Sequence, residues 1–411
     1  MTGPAVQRYS GAFAALRHRN FRLFFYGQLV SLAGTWMQMI ALSWLVLTVT
    51  NSAFYVGLVS ALDTLPVLLL ALYAGVVVDR VSRHRLIIAT QVTAMALALV
   101  LAALVLTGNV ELWHIMVIAT GFGVVNAFDI PGRHTFYGDL VGRDDLTSAV
   151  ALNSVSFNST RIVGPAIAGI VLGIVGPGIC FLVNGLSYLA VLWGLSRMNV
   201  PPRPAAEPAK RSALENVMDG LRYITRDPRM NALVIASTIL TIFGSPFLVL
   251  LPVFAKDVLG RGASAYGWMM AAVGAGALLG ALWIAGPGRR RARGVVIGWT
   301  AVGFGVLITV LALARHLWLA LPILAMIGFT MIVSGNIVNT LLQTLAPEYL
   351  RGRVVSVYTL VAVGFAPIGA MEAGWIAEHF GAPAALVVGG LISAVGALVI
   401  LARTPELRTT K

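Results

Sequence analysis

The sequence predicts an all-α membrane protein: twelve transmembrane helices in two pseudo-symmetric six-helix bundles, with both termini in the cytoplasm. Three observations lead there: composition, recurring long apolar runs, and a one-sided distribution of basic residues. Of 411 residues, 58% are hydrophobic and only 11% are charged, and the mean hydropathy is +0.87. That is too apolar for one soluble core with a wetted surface. Crossing the hydrocarbon takes about 20 mostly apolar residues. Twelve runs supply such length, at 21–49, 54–78, 86–107, 112–134, 147–174, 178–196, 230–254, 264–286, 294–313, 317–341, 352–377 and 382–402.

The net charge of +13 would ordinarily raise nucleic acid as a partner, but its placement decides otherwise. With the N-terminus inside, 25 of the 29 Lys and Arg residues fall in inner segments. Only Lys256, Arg261 and Arg315 fall outside, and Arg161 lies within a run. This is the positive-inside pattern. A lipid bilayer is the predicted surrounding and nucleic acid is excluded as a partner. The first run is too long, and too free of a small-residue cleavage site, to read as a removable signal. The lone Cys180 implies no disulfide framework and no thiol-rich metal site.

Outer connections are short, such as "TNSA" at 50–53 and "GPG" at 176–178. One inner connection is long and opens Pro-rich and flexible. From Ser212 to Thr225 it becomes amphipathic, with Leu214, Val217, Met218 and Leu221 on one stripe and Glu215, Asp219 and Arg222 elsewhere. Such a helix lies on the inner membrane surface or packs across helix ends. The chain therefore divides into an N-terminal bundle (1–197), a linker (198–229) and a C-terminal bundle (230–411). An offset of 205 residues pairs Gly164 with Gly369, Gly169 with Gly374, Gly176 with Gly381 and Gly185 with Gly390, the trace of a duplication. Upstream, an offset near 211 sets "GRRRAR" (288–293) opposite "GVVVDRVSRHR" (75–85). Two such halves are the pattern of a secondary transporter.

The stretch Gly75, Asp79, Arg80, Arg83 and Arg85, between the second and third runs, resembles the loop signature of the major facilitator superfamily, with Ser82 where a glycine is usual. The segment from Asn126 to Leu195 is similar to the branch holding the enterobactin exporter and the transmembrane secretion effectors. "RIVGPAIAG", with Gly164, Pro165 and Gly169, resembles the fifth-helix Gly-Pro motif of antiporter members, with Thr160 and Ala168 at two positions that are glycine in the fuller motif. The resemblance implies the major facilitator fold, alternating access and export by proton antiport. It also implies an inner-gate latch in which Asp79 and the arginines engage the inner end of the eleventh run, Gly75 permits close packing, and Asp79 is the sole carboxylate.

Few ionisable groups lie at hydrocarbon depth: Asp63, Arg161 and Glu372, with Asp129 near an inner end. An unpaired charge there costs at least about 2.5–3.5 kcal/mol, so each faces a cavity, finds a partner or loses its charge. Asp63 sits nine residues into its run, roughly 13 Å deep. It and Arg161 either couple proton flow to transport or form a static ion pair. Glu372 either binds a proton or cationic substrate, or reaches the outer water. Asp129 and Arg133, spaced i, i+4, read as a local ion pair. Gln38, Asn126, Asn153, Asn158, Asn336, Asn339 and Gln343 are substrate-cavity candidates or interhelical glue. Met37 and Met39 beside Trp36 form either an adaptable apolar wall or packing.

No phosphate-binding Gly-x4-Gly-Lys loop, metal-ligand spacing or catalytic constellation occurs. The chain therefore reads as a secondary active exporter of a small molecule, a siderophore or an amphiphilic drug-like compound. It is expected to use no cofactor or metal, to be driven by the proton gradient, and to be functional as a monomer. Proton-coupled uptake is the alternative within transport; a non-transporting sensor or a membrane-embedded enzyme is the alternative outside it. An Arg-to-Lys ratio of 26 to 3 points to a GC-rich bacterial genome, and so to a bacterial cytoplasmic (inner) membrane.

Overall fold

The computed structural model describes residues 11–142, 144–200, 213–286 and 293–409. All regular structure among them is helical. A short 3-10 turn, Gly11–Arg17, precedes α1 (Arg19–Thr50), α2 (Ala53–Arg80), α3 (Arg83–Leu106), α4 (Leu112–Val141), α5 (Leu146–Val175) and α6 (Pro177–Ser196). Asn51, in the left-handed region at φ 51°, closes α1, and the Ser52 hydroxyl accepts the Tyr55 N–H to open α2. Gly176, at φ 78°, turns α5 directly into α6, whose first residue Pro177 has no N–H to leave unpaired.

The amphipathic linker segment forms α7 (Ala213–Arg226). It packs across the ends of α8 (Pro228–Ile239) and α13 (Arg351–Gly364), with Ile224 fully buried and Asp219 paired to Arg353 at 2.8 Å. The seventh apolar run is one span, Pro228–Val258, in which π turns at Leu240–Gly244 and Phe254–Val258 flank α9 (Phe247–Val253). Pro246 and Pro252 cannot donate to the helical ladder, and the Ser245 N–H bonds five residues back to Leu240 at 2.8 Å. Then follow α10 (Ala263–Ala285), α11 (Arg293–Leu311), α12 (Leu317–Leu345), α13, α14 (Ala366–Phe380), α15 (Ala382–Arg403) and the short α16 (Glu406–Thr409). The eleventh run, expected as one helix, breaks at Phe365, just ahead of Pro367.

Among the described residues, ten spans are long and apolar enough to cross a membrane; the described apolar stretches of α5 (146–157) and α11 (296–311) are shorter. Helices α1–α6 pack on one another, as do α8–α15, and the two groups meet chiefly through α5 on α10 and α2 on α14.

The glycines related by the 205-residue offset occupy matching places. Gly164 rests on Trp36 of α1, and Gly369 on Ile242 and Pro246 of the seventh span. Across the groups, Gly169 rests on Gly267 of α10 and Gly374 on Gly57 of α2. Gly185 faces α3 at Leu99, and Gly390 faces α11 at Gly305. Small residues supply this close backbone approach because helix association in lipid depends on packing contacts and not on water exclusion.

Candidate functional site

The starts of α1 and α3 and the ends of α4, α6 and α15 share one end of the bundle, the basic end; the α1–α2 turn, Gly176 and Lys256 lie at the other, the far end. Far-end closure joins the two groups. Glu378 of α14 accepts from the Ser52 hydroxyl (2.8 Å) and the Phe54 N–H (3.2 Å), so it caps α2 from across the interface. The Lys256 ammonium donates to the Asn51 side-chain oxygen at 2.6 Å. Below these bonds the Gly57–Gly374 and Gly169–Gly267 contacts close the gap, and Trp44 stacks on Tyr266.

Beneath this closure lies a central cavity of about 280 Å³ between the groups. Trp36, Met39, Tyr266 and Met270 supply adaptable apolar surface, and Ser43, Thr64, Thr241 and Ser245 supply hydroxyls. No described lining residue is charged. The irregular backbone of the seventh span and the α13–α14 break both border it, where non-helical groups are tolerated because they line a cavity.

A second cavity, of about 150 Å³, lies inside the first group and holds Asp63, Gln38, Asn126, Asp129 and Arg133. Its wall shares Met39, Ser43 and Ser60 with the central cavity. Asp129 is 3% exposed and accepts from Thr90 (2.8 Å) and Gln91 (3.0 Å), while Arg133 pairs with it at 2.7 Å and also donates to Gln28. The i, i+4 spacing on α4 brings this pair together, and α3 supplies the polar partners that let it stay buried. Asp63, by contrast, has no hydrogen bond or ion pair among the described residues. The Arg161 side chain, its expected neighbour, lies outside the described residues, as do those of Asn158 and Asp79.

The remaining residues singled out from sequence divide sharply. Gln38 accepts from Asn184 at 2.6 Å at the edge of the polar cavity. Asn153 is taken up by the Tyr137 hydroxyl and Asn339 by Gln343; Asn336 is exposed. None of Asn153, Asn336, Asn339 and Gln343 lines either cavity: Asn153 is held on α5 by Tyr137, and α12 turns its buried face to α10 and α11, where Gln343 and Asn339 satisfy each other. Glu372 is half-buried on α14 and borders neither cavity.

At the basic end, Arg80 and Arg85 are exposed, whereas Arg83 bonds both oxygens of Asp139 on α4 at 3.0 Å. Asp139 is thus a second carboxylate beside this motif, bonded to it within the first helix group. Gly75 has open space within 4 Å of where a Cβ would sit, so in this conformation it serves no close packing. The "GRRRAR" counterpart falls outside the described residues except at the start of α11. Sequence reasoning missed Glu378, Asp139, Gln91 and Tyr266, whose roles arise from partners 38 to 326 positions away.

Two packed groups of membrane-length helices around a central cavity, closed at one end, form the architecture of a polytopic membrane transporter. The backbone matches the solved nucleoside transporter NupG with a TM-score of 0.74 at 15% identity, covering 93% of this chain and 98% of that one. A profile of the transmembrane secretion effectors matches residues 10–410, and the chain belongs to that family of the major facilitator superfamily. It is 31% identical over 368 residues to the multidrug efflux pump Tap of Mycolicibacterium fortuitum, covering 87% of this chain and 89% of Tap. It is 25% identical over 400 residues to the enterobactin exporter EntS of Shigella boydii, covering 96% and 94%.

Proposed function

We propose that the protein exports a small amphiphilic molecule, of the drug-like or siderophore class, from the bacterial cytoplasm by alternating access coupled to proton antiport. The observation that carries this reading is the Asp63 carboxylate, without a partner among the described residues, in a polar cavity that shares a wall with the closed central cavity. A carboxylate placed there can take up a proton when the far end opens and release it when the basic end opens. Substrate in the central cavity, which shares Met39, Ser43 and Ser60 with this one, then moves the opposite way.

In this reading α5 and α11 also span the bilayer, giving twelve crossings. The basic end faces the cytoplasm by the positive-inside pattern. Residues 1–197 and 230–411 rock about the cavity with 198–229 as linker, and one chain suffices. The kinship with Tap and EntS supports export over uptake.

Proteoliposome flux under an imposed pH gradient tests this, with a panel of amphiphilic dyes and catecholate siderophores. Gradient-driven extrusion that Asp63→Asn uncouples is expected. Undiminished proton-dependent export by that variant would end the coupling assignment, and gradient-driven accumulation toward the basic end would establish uptake instead.

A further inference from the structure

The basic end of the α1–α6 face carries a feature the transport reading does not use. An open groove of about 540 Å³ runs between the two helices on their outer, non-interface side. Its floor is set by Gly27: a Cβ there would lie 2.9 Å from the Ala190 carbonyl oxygen, so the helices approach backbone to backbone. The side chains beside this small-residue floor stand as walls. Tyr26 is 58% exposed and Trp193 58% exposed, with Leu23 before Tyr26 and Val30 beyond it, toward the membrane centre, extending the apolar surface along α1.

The groove's polar rim is wholly cationic. Arg19 and Arg22 line it, and Arg197 lies over the Trp193 ring at 5.7 Å. Arg19 spends one N–H on the Arg197 carbonyl at the end of α6, and the Arg22 side chain makes no hydrogen bond or ion pair among the described residues. No carboxylate lines the groove, and none occupies the first turn of α1, where the helix dipole adds positive potential. The local cations are thus left uncompensated by the described protein residues at a site that opens sideways. Tyr and Trp at such a depth mark the level of lipid headgroups.

We propose that this groove is a binding site for an anionic phospholipid of the adjoining leaflet. Arg19 and Arg22 take the phosphate, with Arg197 held close by Trp193. One acyl chain lies along Leu23, Gly27 and Val30. Basic pockets between transmembrane helices are suited to such headgroups, and guanidinium forks match phosphate oxygens. Charge complementarity selects an anionic lipid over a zwitterionic one, and the apolar length of the groove selects a lipid over a free phosphate. The site concerns binding alone and stands whether or not the protein proves to be an antiporter.

The test uses the full chain, delipidated in neutral detergent, with thermal unfolding and native mass spectrometry as readouts. Dioleoyl phosphatidylglycerol is expected to raise Tm saturably and to remain bound as discrete adducts. Dioleoyl phosphatidylcholine and soluble glycerol phosphate are expected to do neither. Arg19→Gln/Arg22→Gln should weaken phosphatidylglycerol binding roughly 10- to 30-fold, the loss of two headgroup cations. Trp193→Ala, which keeps both arginines, should weaken it less and widen the range of adducts. An equal response to phosphatidylcholine would reduce the groove to ordinary lipid contact, and an equal response to glycerol phosphate would make it an ion site. Unchanged affinity in the double variant, with its lipid-free Tm intact, would overturn the proposal.

Discussion

Gly169 of α5 and Gly267 of α10 meet backbone to backbone: a Cβ on Gly267 would come within 2.8 Å of the Gly169 nitrogen. No other residue type leaves room for the two groups to close here. Overpacking costs about 1–3 kcal/mol, so Gly169→Leu should shift the equilibrium toward a far-end-open state roughly 5- to 150-fold. In a Cys180→Ser, Ser43→Cys background, a membrane-impermeant maleimide added from the far side should label Ser43→Cys faster when Gly169→Leu is present. Unchanged labelling would mean that the glycine contact does not hold the seal.

The cap that Glu378 places on α2 gives a second handle on the same closure. Glu378→Ala removes the acceptor for the Ser52 hydroxyl and the Phe54 N–H, a loss of about 1–2 kcal/mol by the usual worth of a helix cap. Since the bonds join the two groups, the loss falls on far-end closure. Distances between spin labels on α2 and α14 at the far end should broaden toward longer values, while a truncation confined to one group should leave them unchanged.

Asp129 and Arg133 form a buried pair through Oδ2 of Asp129, whose other oxygen, Oδ1, accepts from both Thr90 and Gln91. Removing one partner leaves a charge with poor solvation, at a cost of about 3–5 kcal/mol. Asp129→Ala should lower the unfolding temperature of the purified protein markedly. Asp129→Ala/Arg133→Leu should recover part of the loss, and strict additivity would argue against a coupled pair.

Asp145, at the start of α5, is held below the ordinary aspartate value of 3.8. The His18 hydrogen bond is the largest cause; burial opposes it, and the Arg17 guanidinium at 2.6 Å reinforces it. A depressed folded pKa contributes stability that is fully present above 3.8 and is lost as pH falls through the folded value. The Gly11–Arg17 turn should therefore stay docked at neutral pH and loosen only in strong acid. Hydrogen exchange over residues 11–18 should show that loosening, and Asp145→Asn should show it already at pH 7.

How far the sequence could be read follows from the range of each interaction. The apolar runs, the amphipathic linker helix and the Asp129–Arg133 pair were legible because each depends on neighbours within one or two helical turns. The offset glycines were legible as a pattern, and their contacts on matching helices give that pattern its physical content. Glu378 carried no local signal, since its significance lies in reaching Ser52, 326 positions away. Asn336, Asn339 and Gln343 misled for the converse reason: polarity in an apolar run marks a group needing a partner, and Asn339 and Gln343 found theirs within one helix.

What the sequence by itself determined is the solvent of this protein and the kinship of its chain. Composition requires a bilayer, charge placement predicts an orientation in it, and the loop and Gly-Pro motifs carry the resemblance to the superfamily. The tertiary structure alone decided which end is closed, where the cavities lie, and which charged residues line them. Those depend on helix pairs packed across the two groups, and hydrophobic periodicity carries no information about which helix a buried face will meet.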